Sequence, residues 1–545
     1  MKEIIDRLQA LAPIISRICA ISGTPGVSIG VLHHNEVIHT AGFGYRDVGQ
    51  GLPSDENTVY HIASMSKAVT AAAVAILVDE KYLDWDTPFS TLVPEFEHPN
   101  HTIREETTLV DLMSHRTGLA TQNAFWWREF GRLAMPRAET MPLVSSLPQV
   151  SDFRSKWIYS NWGFAMAAVM IERTSGISWG HFLKKKIFDP LHLQRTTTVR
   201  DPEFDNVAEG HMALSDSDCI QNKERPHVSD GKLTCGANGV QSSVKDLLVI
   251  YQALLAANAE QSSSVTATEH GNPFKQVPTL LAPHIALSDD PLPKQSYGLG
   301  WARTMLPGSL GVTGINGMYV SAMPVVGRGL KPKLIYHHNG SLAAFLSSVI
   351  LIPDTTSAIV VLTNSLANND CADWIGQLLL ETLIDTPEKN DYEQLARESA
   401  KSSVCQWKNI PKSLAKDRDT DTKAKPLSLY SGKYYNSARD WHMEIYHEQD
   451  QLYMCIQGDR QLSYTLKHHH NDTFSWALSQ DENARLGRWP VTDPEFYLLE
   501  FQTDGDIVAN ILWKFDVDIP QGQTLAKESS PHTHSTTGQE ILVSL

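Results

Sequence analysis

Hydrophobic and polar residues change their spacing three times along this chain. Near the start, PGVSIGVLHHNEVIHTAGFGY (25–45) predicts two strands joined at a His-His-Asn-Glu turn. HIASMSKAVTAAAVAILVDE (61–80) is apolar nearly all round, which predicts a buried helix from about Ser64 to Lys81, ending near LDWDTP (83–88). From about 100 to 255 helical spacing dominates, with loops between. TTLVDLMSHRTGL (107–119) begins at a Thr cap and stops at Gly118, and NWGFAMAAVMIERTSG (161–176) ends at Gly176. Strands return in LIYHH (334–338), LSSVILI (346–352) and SAIVVLTN (357–364), separated by turn signals at Asn339-Gly340 and Pro353-Asp354. A helix, CADWIGQLLLETLID (371–385), closes this part. Strands at both ends of a helical middle predict an α+β unit over 1–385, its sheet completed by distant segments and its helical subdomain spanning about 100–290.

After residue 385 the pattern weakens, then returns with a different period. Residues 386–426, including KDRDTDTKAK (416–425), are charged and poorly patterned, the mark of a linker. MEIYHEQDQLYMCIQ (443–457) and FYLLEFQTDGDIVANILWKF (496–515) alternate with period 2, one hairpin turning at Asp504-Gly505. They predict a separate all-β domain over 427–517, followed by a polar, disordered tail at 518–545. Residues 256–295, rich in Ser, Thr, Ala and Pro, predict a surface excursion.

Composition narrows the class. The chain has 545 residues, too many for one ordinary domain, and its 42% apolar and 20% charged residues fit a globular core. A net charge of −16 argues against a nucleic-acid or anionic-membrane surface. The six cysteines are scattered without a CxxC pair, so neither a disulfide framework nor a zinc site is expected. His468-His469-His470 beside Asn471-Asp472 reads as a solvated turn rather than a metal site. The N-terminus lacks the basic start and apolar run of a secretory signal, and no apolar run reaches membrane-spanning length. A soluble, cytoplasmic protein is the expectation.

Candidate chemistry begins at SMSK (64–67). Positions i and i+3 share a helix face, so Ser64 and Lys67 can touch, whereas Ser66 points elsewhere. Serine becomes a nucleophile when a neighbouring base takes its proton. Burial near a positive helix end lowers a lysine pKa and fits Lys67 for that task. The alternative, a Ser cap beside a snorkelling lysine, satisfies the same four residues. In KWIYSNWG (156–163), Tyr159 and Asn161 sit two apart before a helix; a phenol can relay a proton and an amide can hold a carbonyl. A core tyrosine and a capping asparagine are the competing reading. In YHHNGSLAAF (336–345) a strand carries His338-Asn339-Gly340, where glycine permits close approach of substrate and the next N–H can face a cleft.

Ser-x-x-Lys, then Tyr-x-Asn about 95 residues on, then His-x-Gly about 180 further, resembles the serine β-lactamase and penicillin-binding-protein family. The nearest branch is similar to class C enzymes with the family VIII esterases, D-aminopeptidases and fungal acyltransferases. PGVSIGVLHHNEVIHTAGFGYRD, TTLVDLMSHRTGL, CGANGVQSSVKDLL (235–248) and YGLGW (297–301) resemble the family's segments in the same order. The resemblance implies an antiparallel sheet flanked by helices with an inserted helical subdomain. It implies Ser64 as nucleophile, Lys67 as base and Tyr159 as second acid/base group. Asn161, His338, Asn339 and Gly340 would bind substrate, and the backbone N–H groups of Ser64 and Ser341 would form the oxyanion hole. Residues 427–517 resemble a lipocalin-like barrel, a candidate surface for homo-oligomers. β-Lactamases carry Lys-Thr-Gly or similar where this chain has His338-Asn339-Gly340. A mostly neutral histidine fits substrates without an adjacent carboxylate. The expectation is therefore a hydrolase or acyltransferase, working without metal or cofactor, on a small-molecule ester, thioester or amide in specialised metabolism. A D-amino-acid peptidase or a non-catalytic binder stands as the alternative.

Overall fold

The structure is a computed structural model, and it describes residues 1–201, 203–263, 271–288 and 294–528. The chain divides into two compact units. The first comprises Met1–Ala415 with Ala477–Pro494 and Phe515–Pro520; the second comprises Lys416–Trp476, Glu495–Lys514 and the remainder from Gln521.

The first unit is built on a nine-stranded antiparallel sheet. From one edge its strands run Leu52–Pro53, Glu36–Asp47, Gly26–His33, Ser357–Thr363, Phe345–Ile352, Lys333–Leu342, Ala302–Leu306, Gln295–Tyr297 and Ile285–Ala286. The N-terminal hairpin thus pairs with strands more than 300 residues later, Val27 facing Thr363 and Leu32 facing Ala358. Every residue of Gly26–His33, Phe345–Ile352 and Ser357–Thr363 is buried, so both faces of the sheet centre are covered. Helix Val244–Ser262 packs on the first and third of these strands, its Val244 and Leu248 filling the space left by Gly30. Helix Cys371–Leu383 packs on the second and third.

The helical part holds the site. Helix Ser66–Asp79 has every residue from Ser66 to Val78 buried, as its unbroken apolar character demands. It packs on helix Asn161–Ser175, which ends at Gly176 with φ +72°. The expected Thr cap is Thr108, which forms a reciprocal capping box with Asp111 at the start of the short helix Leu109–Met113.

The second unit is a closed eight-stranded barrel running from Gly432–Tyr435 to Gln523–Lys527. Strand His442–Glu448 alternates buried and partly exposed residues, and Tyr430, Tyr434, Phe474 and Phe501 pack ring to ring. Among the described residues no helix is long and apolar enough to cross a membrane.

Two expectations are corrected. Most of the supposed linker is a helix, Tyr392–Lys416, with a buried stripe of Ala396, Ser399, Ala400, Ser403, Trp407, Ile410 and Leu414. Small Ala and Ser residues make that stripe faint in hydropathy. Ser399 Oγ accepts from Trp374 Nε1 at 3.1 Å and from Asn369 Nδ2 at 3.0 Å, tying the helix to its neighbour. The supposed tail contains strand Gln523–Lys527, which pairs with Tyr434 and Tyr435 and closes the barrel; residues 529–545 lie outside the described residues.

Leu362 lies on the fully buried central strand at 0% exposure. Leu362→Ala is expected to lower unfolding free energy by about 2–5 kcal/mol, read as a shift in the urea midpoint.

Candidate active site

Ser64 stands on a single 3₁₀ turn, Ala63–Met65, just ahead of the helix rather than inside it. Ala63 adopts φ +48°, a left-handed conformation that costs a non-glycine residue free energy and is held by its surroundings. Gly340 explains how. A Cβ there would lie 2.3 Å from Ile62 O and 2.2 Å from Ser347 Oγ, so strand Lys333–Leu342 must stay bare where the turn crosses it. The smallness of Gly340 therefore serves the seat of Ser64.

Lys67 is wholly buried, and burial lowers its pKa well below the ordinary lysine value. Its Nζ lies 3.0 Å from Ser64 Oγ, 2.7 Å from Asn161 Oδ1 and 3.4 Å from Ala237 O, all neutral groups. Ser64 Oγ is also 3.3 Å from Asn238 Oδ1. The Lys67 amine lies 4.8 Å from the centroid of the Tyr159 ring. Burial holds the Tyr159 phenol well above its usual pKa, while a hydrogen bond with Ser64 opposes that shift.

Ser64, Tyr159, Asn161 and Ser341 all line one cavity of about 350 Å³. Its remaining wall is largely apolar, with Trp127, Trp157, Ile315, Met318, Leu342 and Trp489. His338 and Asn339 are buried on the strand beside it, each about 1% exposed. His338 Nε2 shares a 2.8 Å hydrogen bond with Tyr297 Oη, and Nδ1 lies 2.6 Å from Asn339 O. Burial pushes His338 down to about 3, so its ring is neutral at ordinary pH. Asn339 donates to Asp373 through Nδ2 at 3.2 Å and accepts from Thr313 Oγ1 at 3.1 Å. Its side chain braces the 312–315 wall of the cavity, Thr313 and Gly314 included, from behind.

Several participants carry no signal in the three short motifs. Asn238 and Ala237 come from CGANG, His115 from SHRTG and Tyr297 from YGLGW. His115 packs on Tyr159 at 4.6 Å and on Tyr297 at 4.9 Å between centroids, and Nδ1 accepts from Ser160 N at 3.1 Å. These positions were visible only as family-like segments, because their value lies in contacts made across the fold. Among the described residues no group of three or more His, Cys, Asp or Glu side chains could hold a metal ion.

The buried imidazoles make the first unit sensitive to acid. Burial lowers His61 and His338 to about 3 and His337 to about 4. Unfolded histidines take up protons near 6.5, whereas these three resist until pH 3–4. Stability contributed by their neutral state is complete above 6.5 and is lost as pH falls toward 4, at about 1.4 kcal/mol per pH unit for each. Thermal midpoints measured from pH 7 to 4 are expected to fall steeply, and His337→Gln to flatten the slope.

Comparison with known proteins fits this geometry. A family model described as Beta-lactamase matches residues 9–382, and one described as a domain of unknown function, DUF3471, matches 416–527. The chain is 24% identical over 385 residues to Unguisins hydrolase ungD of Aspergillus violaceofuscus, covering 66% of this chain and 61% of that protein. It is 34% identical over 314 residues to the human mitochondrial serine beta-lactamase-like protein LACTB, covering 46% and 56% respectively. The chain thus spans less than two thirds of the length of both relatives. The octameric penicillin-binding protein homologue from Pyrococcus abyssi superposes with a TM-score of 0.54 at 19% identity, over 96% of this chain and all of that one, which shows a shared fold. With the match extending over most of the first unit, the chain belongs to the β-lactamase family of serine hydrolases, of the penicillin-binding-protein-like kind.

Proposed function

We propose that this protein is an acyl-enzyme catalyst that cleaves a small-molecule ester, thioester or amide through Ser64. The observation that carries the reading is the wholly buried Lys67 amine 3.0 Å from Ser64 Oγ, with only neutral groups as its hydrogen-bond partners among the described residues. A neutral amine has two N–H donors and one lone pair. Asn161 Oδ1 and Ala237 O match the donors, which leaves the lone pair for the Ser64 proton.

In the proposed sequence Ser64 Oγ attacks the carbonyl carbon while its proton passes to Lys67. The N–H groups of Ser64 and Ser341 hold the developing oxyanion. The Tyr159 phenol, kept protonated by burial, hands a proton to the leaving group and recovers one through Lys67. The Asn161 amide nitrogen meets the substrate carbonyl while its oxygen steadies Lys67. Water, or an acceptor alcohol or amine, then attacks the acyl-Ser64 carbonyl and gives its proton to Lys67. The acyl–Oγ bond breaks, Ser64 Oγ takes the proton back, and the acyl group leaves as the free acid or as the acceptor's ester or amide. The fungal relatives named as unguisins hydrolases support the hydrolytic branch. The cavity wall, largely apolar with Trp127, Trp157, Ile315, Met318, Leu342 and Trp489 and with Arg128 among its lining, supports a small, mostly apolar acyl substrate.

A fluorophosphonate probe is expected to label the peptide carrying Ser64, with labelling absent in Ser64→Ala; an unlabelled, folded wild-type protein refutes the reading. Lys67→Met and Tyr159→Phe are each expected to lower kcat by about 10²–10⁴-fold on a p-nitrophenyl ester. Activity should rise with pH along a limb well below 10.5, since Lys67 acts as the free base, and that limb should vanish in Lys67→Met. Product formation from an acyl thioester that depends on added amine or alcohol would assign the transfer branch.

A further inference from the structure

Between strand Thr473–Ser475 and strand Leu498–Asp504 the chain leaves the barrel fold. Residues Ala477–Pro494 belong to the first unit instead. They are fixed there by specific bonds. Ser479 and Glu482 form a capping box that starts helix Gln480–Arg485. Gln480 Nε2 donates to Asn368 Oδ1 at 2.6 Å, and Asp481 Oδ1 accepts from Ser215 N at 2.9 Å. Leu486 O accepts from Phe130 N at 2.8 Å. Arg488 Nη1 donates to Glu129 Oε1 at 2.8 Å, with both side chains largely shielded from solvent. Gly487 completes the seat: it has φ +57°, and a Cβ would lie 2.2 Å from Asn222 Oδ1 and 2.8 Å from Phe130 Cα.

These anchors hold the residues before and within the short stretch 487–489 that reaches the cavity. Gly487 and Trp489 line the same cavity as Ser64, together with Trp127 and Trp157. Trp489 follows directly on the anchored Arg488 and remains half-buried, as a side chain bordering a cavity rather than filling a core. A tie between segments requires the ion pair and the main-chain bonds, but it does not require an indole at the cavity wall. Aromatic faces prefer flat apolar partners, in stacked or edge-to-face arrangements.

We propose that Ala477–Pro494 is a selectivity element of the Ser64 site, and that Trp489 packs against an aromatic group carried by the acyl side of the substrate. This rests on the acyl-enzyme reading above for the identity of the reacting serine, but not for the identity of the wall. The β domain's chain thereby contributes to substrate choice through this segment.

The test compares p-nitrophenyl phenylacetate with p-nitrophenyl acetate in wild type, Trp489→Ala and Trp489→Phe. The ratio of kcat/KM for the aromatic over the acetyl ester is expected to fall about tenfold in Trp489→Ala, mostly through KM, and to stay within about threefold of wild type in Trp489→Phe. An unchanged ratio in Trp489→Ala, with or without an equal loss on both esters, overturns the proposal. Equilibrium binding of N-benzylphenylacetamide to the Ser64→Ala protein separates the two readings. It should weaken about tenfold when Trp489→Ala is added, whichever residue is the nucleophile, and unaltered binding overturns the wall assignment. Failure of Ser64 labelling alongside a Trp489-dependent binding loss would remove the acyl-enzyme reading and leave the selectivity element standing.

Discussion

Placing a lysine amine inside a protein without a carboxylate beside it is costly while the amine carries a charge. The first unit avoids most of that cost by favouring the uncharged form. Around Lys67 the fold supplies Asn161 Oδ1, Ala237 O and Ser64 Oγ, dipoles that hold an amine without demanding an ammonium. Three separate parts of the chain must meet for this: the turn before helix Ser66–Asp79, the start of helix Asn161–Ser175 and the short helix Cys235–Asn238. The packing of these elements on one another is thus the same fact as the basicity of Lys67. Tyr159 and His338 follow the same logic, since burial keeps one protonated and the other neutral. The fixed charge in the cavity wall comes instead from Arg128.

The sheet sets the geometry that burial then exploits. The Ser64 turn crosses strand Lys333–Leu342 at Gly340, close enough that an added methyl group would strike Ile62 O. That contact ties the nucleophile to the strand that carries Ser341, so the two backbone N–H groups proposed for the oxyanion hole move as one piece. Asn339, one residue earlier, faces away toward Asp373 and Thr313. Successive residues of one strand therefore do different work: His338 meets Tyr297, Asn339 props the cavity wall, Gly340 admits the turn and Ser341 reaches the cavity. Alternation along a strand makes such a division possible within four positions.

Much of this was legible in the order of residues. The all-apolar run around SMSK foretold a buried helix, the i, i+3 spacing chose Ser64 over Ser66, and Gly176 marked a helix end. Period-2 alternation points to an all-β domain, and the resemblance to a lipocalin-like module points to a barrel; its eight strands come from the structure. What remained hidden has physical reasons. Helix Tyr392–Lys416 buries Ala and Ser, whose hydropathy barely differs from that of a linker. Strand Gln523–Lys527 is a short segment among polar residues, and only its pairing with Tyr434 and Tyr435 makes it part of a barrel. The motif groups His338 and Asn339 with the substrate residues, but a sequence does not say which way a side chain at a strand position turns, and so it hides their bonds to Tyr297, Thr313 and Asp373. Trp489 lay within a stretch assigned to a different domain, so no local pattern could connect it with Ser64.

The discontinuity of the first unit bears on how the protein is made. Its central sheet is complete by residue 363 and its first segment ends at 415, yet Glu129 meets its partner Arg488 only after some seventy further residues have been synthesised. At ribosomal speeds of about 5–20 residues per second, several seconds separate the two. During that interval the cavity lacks one side, and Glu129 lacks one of its cations. Maturation of the pocket therefore waits on translation of the β domain. A messenger cut short before segment Ala477–Pro494 would leave the pocket without Gly487 and Trp489.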